Sequence, residues 1–149
     1  MIYLKDYLEP NNVLFLDASD KESILDAMIN HMCKSPKILN KEVFRKAVYE
    51  RESILSTGIG LGIAIPHVKI HEVKDIIICI AIVPKGVEWG AIDNKPVKLI
   101  FMIAGAEDQH ELYLKILSKI VLVLKKKERR ESLIAAKSAD EVIKHFINL

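Results

Sequence analysis

Apolar residues recur along this chain with two different periods, and the switches between them mark out its elements. Ile24, Leu25, Met28, Ile29 and Met32 fall on one helical face, and that helix closes before Ser35-Pro36. Ser19-Asp20-Lys21-Glu22 reads as the capping box that opens it. Asn40 is the expected cap of a second helix with Val43, Phe44, Ala47 and Val48 on its apolar stripe. The next position on that stripe is Arg51. An arginine ending an apolar face either carries its charge out to water or points into a polar cleft, and the pattern leaves both open.

Shorter apolar runs predict strands. Val13–Asp17 is bounded by Asn-Asn and Ser-Asp, and Ile63–Ile65 stops at Pro66, which is expected to end any ladder by removing a donor. Asp75–Val83 and Val97–Ala104 are continuous apolar runs, as in strands covered on both faces. Pro84-Lys85-Gly86 breaks the first of these, and the turn-rich Val87–Pro96 joins them with Asp93-Asn94 at its tip. A long helix is predicted from Glu107 to about Lys126, carrying Tyr113, Ile116, Leu117, Ile120 and Leu124 on one face. Ser138-Ala139-Asp140-Glu141 is a second capping box, opening a terminal helix with Val142, Ile143, Phe146 and Ile147. Residues Ile2–Pro10 form only a short helical turn. Buried strands alternating with amphipathic helices imply one domain over residues 1–149, with a mixed sheet and helices on both faces.

Composition narrows the class without naming a function. With 50% hydrophobic and 28% charged residues, the chain has the means to build a core, and its net charge of +2 argues for neither nucleic acid nor membrane. The longest apolar runs fall far short of a membrane span, and Met1–Pro10 lacks the pattern of a signal peptide, so a cytoplasmic location is expected. Cys33 and Cys79 sit in apolar surroundings without CxxC spacing and read as buried thiols. Lys125–Arg130 (KKKERR) reads as a solvated helix end that complements the C-terminal dipole, not as a nucleic-acid contact.

The unusual chemistry lies in Arg51–Ile70, RESILSTGIGLGIAIPHVKI. Its GIGLG spacing matches neither GxGxxG nor GxxxxGK[ST], so no nucleotide site is supported. Gly58, Gly60 and Gly62 can leave main-chain amides facing an anion, and Pro66 fixes the approach to His67. An imidazole accepts a phosphoryl group when one nitrogen is neutral and accessible and the other is held. Thr57 can add a hydroxyl, and Arg51 a planar fork suited to phosphate oxygens. His110 falls in the first turn of the long helix, where free amides favour a bound phosphate. His67 and His71 have the spacing of a helical metal pair, but Pro66 and the β-branched neighbours argue against a helix there, and no third ligand stands out. No metal or cofactor is expected. His31 and His145 lie in helices without evident partners.

STGIGLGIAIPHVK resembles the active-site signature of the fructose/mannitol-type enzyme IIA domain of the phosphoenolpyruvate-dependent sugar phosphotransferase system. GVEWGAIDNKPVKLIFMIA resembles that family's middle strand pair, and His110–Leu124 its H-x-x-x-L-x-x-L-S helix, so the likeness covers nearly the whole chain. Asn94 stands where relatives often have glycine, a change an asparagine can absorb. The resemblance implies a three-layer α/β/α fold around a mixed four- to five-stranded sheet. It also implies a phosphocarrier that takes a phosphoryl group from phospho-HPr and passes it to a cysteine of an enzyme IIB, which serves a membrane IIC component. By position, His67 is the phosphorylated histidine, His110 the second active-site histidine, Arg51 the family's arginine and Thr57 its threonine or serine region. The length of the chain leads us to expect IIB and IIC on separate polypeptides. A nitrogen-type regulatory IIA protein is the alternative, although Trp89-Gly90 and the IDNKPV connection look more like the permease proteins.

Overall fold

The computed structural model describes residues 2–147. A six-stranded mixed sheet forms its centre, in the order β1-β5-β6-β3-β2 with β4 also paired to β6. The strands are β1 (Val13–Phe15), β2 (Gly58–Gly60), β3 (Ile63–Ala64), β4 (His67–Ile70), β5 (Ile77–Val87) and β6 (Val97–Ala106). The helices are α1 (Lys21–Met32), α2 (Lys41–Ile54), α3 (His110–Leu124), α4 (Lys127–Ala135) and α5 (Ala139–Lys144). The sheet exceeds the expected strand number because β2 in the glycine segment and β4 beyond Pro66 join the four strands read from the sequence, while the layered architecture is the one anticipated.

Alternation along the two central strands explains the layers. Cys79, Ala81 and Val83 of β5, with Ile100, Met102 and Ala104 of β6, face the core shared with α1 and α2. Ile78, Ile80 and Ile82, with Leu99, Phe101 and Ile103, face the helices α3 to α5. Successive side chains of a strand point to opposite faces, so a strand covered twice must be apolar throughout. Each large side chain buried in this way contributes about 1.5–3 kcal/mol. Phe146 closes the second core with its ring edge on Phe101, centroids 5.8 Å apart. No helix among the described residues is long and apolar enough to cross a membrane.

Several boundaries depart from the sequence pattern for local reasons. Asp20, not Ser19, caps α1: its carboxylate accepts from the Ser23 amide at 2.8 Å and the Ser23 hydroxyl at 2.9 Å. Asn40 caps α2 as expected, accepting from Val43 at 3.1 Å. β5 does not stop at Pro84 but continues to Val87 across an irregularity between Ile82 and Val87. Lys125–Arg130 is not one helix end. α3 stops at Leu124, α4 starts at Lys127, and the Arg130 guanidinium covers the carbonyls of Leu124 and Lys125 at 2.8 and 2.9 Å.

The correction that matters most concerns Pro66. β3 and β4 lie in line along β6, both parallel to it, with Ile63 opposite Leu99 and His67 opposite Ile103. Proline lacks a donor but keeps its acceptor, and the Ile103 amide donates to the Pro66 carbonyl at 2.9 Å. The ladder therefore runs past Pro66, and His67 opens a strand next to the central one.

Candidate active site

The strand register sets which way His67 points. His67 and Lys69 lie opposite Ile103 and Gly105 on β6, whereas Val68 lies opposite Ala104. Since Ile103 faces α3, so do the side chains of His67 and Lys69. Tyr113 of α3 packs beside His67, ring centroids 6.2 Å apart and planes at 51°. Leu117, one turn further along α3, lines a cleft of about 460 Å³ together with His67, Arg51, Ile59 and Ile92.

The half-buried His67 ring is tethered. Its Nδ1 lies 2.6 Å from the Ile65 carbonyl oxygen. A carbonyl only accepts, so Nδ1 carries the proton and the Nε2 lone pair is left for other chemistry. Nε2 has no hydrogen-bond partner among the described residues.

Arg51 reaches the same cleft, although one arm is already committed. Its Nη1 donates to the Leu55 carbonyl at 2.7 Å, closing the last turn of α2 and holding the guanidinium at the cleft wall. Both readings of its place on the stripe therefore contain part of the answer.

Thr57 requires a correction. The residue is 3% exposed, and its hydroxyl donates to Glu52 while accepting from Trp89 Nε1 at 3.1 Å. Glu52, with a side chain 5% exposed, also receives Lys21 Nζ at 2.6 Å, and Lys21 lies over the Trp89 ring at 5.0 Å. Thr57 thus locks the end of α2 to the start of α1 and to the Trp89 loop, and its hydroxyl has nothing left for an anion. Glu52 and Trp89 could not be found from periodicity, because their partners are 31 and 32 residues away in sequence.

The glycines also serve a purpose other than the expected one. Gly60, Leu61 and Gly62 all have positive φ (94°, 59° and 78°) and form the β2–β3 turn. The Leu61 amide is held by Asp93 at 3.1 Å. A Cβ on Gly58 would lie 2.7 Å from the Ala91 Cβ, so the missing side chain makes room for the protein's own 89–92 loop. The segment instead turns apolar side chains outward: Ile59 and Leu61 are exposed beside Leu55 and Ile92, the last at 80%. An apolar rim surrounds the cleft.

His110 opens α3 one turn before Tyr113. Its Nδ1 lies 2.6 Å from Lys69 Nζ. Among the described residues no hydrogen bond or ring contact joins the two imidazoles. Tyr113 is deeply buried and its hydroxyl has no hydrogen-bond partner among the described residues; burial raises its pKa, and the charge of Arg51 acts the other way. His71 pairs at the surface with Glu107 at 4.0 Å, and β4 is a strand, so His67 and His71 are not stacked as on a helix. His31 bonds Asn12 at 3.0 Å, and the carbonyl of His145 accepts from Arg129 at 2.6 Å.

Comparison with known proteins gives a consistent picture. The family described as "Phosphoenolpyruvate-dependent sugar phosphotransferase system, EIIA 2" matches residues 6–148. The fructose-specific EIIABC component of Bacillus subtilis is 35% identical over 130 residues, covering 87% of this chain but only 20% of that longer protein. The fructose-specific EIIA component of Haloferax volcanii is 33% identical over 126 residues, 82% of this chain and 79% of that one. The crystal structure of nitrogen regulatory protein IIA-Ntr from Neisseria meningitidis superposes with a TM-score of 0.87 at 29% identity, covering 96% and 98% of the two chains.

Proposed function

The chain belongs to the EIIA type-2 family of the phosphoenolpyruvate-dependent sugar phosphotransferase system, and on that premise we propose that it carries phosphoryl groups on His67 from phospho-HPr to the cysteine of an enzyme IIB during fructose- or mannitol-type sugar uptake. One observation carries this reading. Nδ1 of His67 is held by the Ile65 carbonyl, while the ring lines an apolar-rimmed cleft with Nε2 unengaged among the described residues.

In the first step the Nε2 lone pair attacks phosphorus. The new N–P bond forms as the N–P bond of phospho-HPr breaks, and that electron pair returns to the donor imidazole. In the second step the IIB thiolate attacks phosphorus and the pair returns to His67. Arg51, with nitrogens not used by Leu55, and His110 stabilise the oxygens of the transferring group. Thr57 acts through the fold. The apolar rim of Leu55, Ile59 and Ile92 fits a partner surface that excludes water while the group moves. No cofactor is required, the reaction takes place in the cytoplasm, and the membrane IIC component is reached through IIB.

The test is phosphorylation by phosphoenolpyruvate, enzyme I and HPr, with transfer onward to candidate IIB proteins. Wild type should take up label and His67→Ala none; label on His67→Ala would overturn the assignment.

A second reading has its own support. The match to a nitrogen regulatory protein extends over 98% of that chain. A regulatory role would keep the first step and lack the second, so absence of transfer to every IIB, with normal uptake from HPr, would favour it.

A further inference from the structure

Lys69 was singled out by no sequence pattern, yet it makes the closest side-chain contact with His110. We propose that Lys69 is a positioning residue for phosphoryl transfer, donating from its ammonium to Nδ1 of His110 and fixing His110 as the neutral tautomer with its proton on Nε2. This inference rests on the reading of His67 as the phosphoryl carrier.

The contact is 2.6 Å long, from Lys69 Nζ to His110 Nδ1. An ammonium has donors and no acceptor, so Nδ1 must supply a lone pair. A doubly protonated imidazole could not make this bond. His110 therefore presents Nε2–H as its free donor. The two histidines are complementary: His67 has its proton at Nδ1 and its lone pair at Nε2, and His110 the reverse.

The backbone explains why lysine and histidine meet. Lys69 lies opposite Gly105 in the β4–β6 register. Gly105 has no Cβ, and one placed there would stand 3.0 Å from Tyr113 Cδ2. Tyr113 thus settles into a notch in the sheet and draws the first turn of α3 onto β4. His110, one turn earlier, comes down over Lys69. His67 and Lys69 share one strand face, about 7 Å apart along the chain. The lysine therefore ties the second histidine to the strand that carries the first. No proton moves in the transfer step: the Nε2–H donor strengthens its bond to a phosphoryl oxygen as N–P bonds form and break.

Lys69→Met, Lys69→Arg, His110→Ala and the Lys69→Met/His110→Ala double variant separate the possibilities in the full chain. Lys69→Met should slow transfer from HPr about tenfold or more, as loss of a partner that orients a site histidine does. Lys69→Arg, which keeps a donor, should recover most of the rate. In the His110→Ala background Lys69→Met should cost nothing further. An additive loss would show that Lys69 acts on the phosphoryl group directly and would overturn the proposal, as would an unchanged rate in Lys69→Met alone. Histidine 15N spectra read the contact without any transfer. Wild-type His110 should be protonated at Nε2 only, and Lys69→Met should move Nδ1 towards tautomer exchange; an identical spectrum would overturn the proposal. A wild type that took up no label would count against the phosphocarrier reading, and the spectra would still decide the Lys69–His110 bond.

Discussion

Nδ1 of His67 and the carbonyl oxygen of Ile65 are 2.6 Å apart across Pro66, so the chain uses its own backbone to set the tautomer of that imidazole. Side-chain orienters can be removed by mutation; this one cannot. Phosphate on the protein should therefore be bonded to Nε2, giving an acid-labile, base-stable phosphohistidine. Phosphorus–nitrogen coupling in 15N-labelled protein checks the atom, and attachment at Nδ1 would contradict the hydrogen bond.

Thr57 separates stability from chemistry. Thr57→Val removes a buried hydroxyl that donates to Glu52 and accepts from Trp89, leaving both with a lost partner. The expected loss is about 1–3 kcal/mol. Glu52→Ala, which strips the partner from Lys21 as well, should cost about 3 kcal/mol or more. Urea midpoints measure both. At temperatures where each variant is folded, phosphorylation of His67 should be near the wild-type rate, and a large specific loss in Thr57→Val would return the hydroxyl to the site.

Asp75 gives the start of α3 a pH dependence. The Gln109 side chain donates to its carboxylate at 2.8 Å, as does the Ile76 amide, and Lys37 adds its charge. These hold the carboxyl below the usual carboxylate range against the opposing effect of burial. The folded value lies below the unfolded one, about 3.9. The stabilisation is therefore complete above that value and fades as pH falls through the folded value. Unfolding free energies of wild type and Asp75→Ala should differ by a constant amount from pH 6 to 8 and converge in acid. A gap that widened in acid would reverse the sign.

Gly58 tests what the glycine segment is for. In Gly58→Ala the new methyl would meet Ala91, 2.7 Å away. Overpacking of this kind costs about 1–3 kcal/mol. Ala91→Gly in the same chain should restore only part of it, because the new methyl would still lie 2.8 Å from the Ala91 Cα. Rescue in the thermal midpoint supports internal packing; an undiminished midpoint in Gly58→Ala would mean that the 89–92 loop yields freely.

Much of the fold could be read from the sequence because it depends on period. The stripes of α1, α2 and α3 and the doubly covered β5 and β6 are repeated signals, each from several residues. His67, Arg51 and the first turn of α3 at His110 were legible from departures in those patterns. What escaped were pairings distant in sequence, such as Lys21 with Glu52, Thr57 with Trp89 and Lys69 with His110, which exist only once the register is fixed. Pro66 misled for a related reason: its missing donor is evident in sequence, whereas the use of its carbonyl by Ile103 depends on a partner strand.

The in-line placement of β3 and β4 on β6 has one more effect. His67 pairs with Ile103, whose strand is clasped on its other edge by β5 over most of its length. Among the described residues β4 itself pairs with β6 alone, so His67 stands on an edge strand of four residues. A strand of that kind can open while β5 and β6 stay paired. The amides of β4 should therefore exchange with solvent sooner than those at the β5–β6 centre, and equal protection in the two would contradict this.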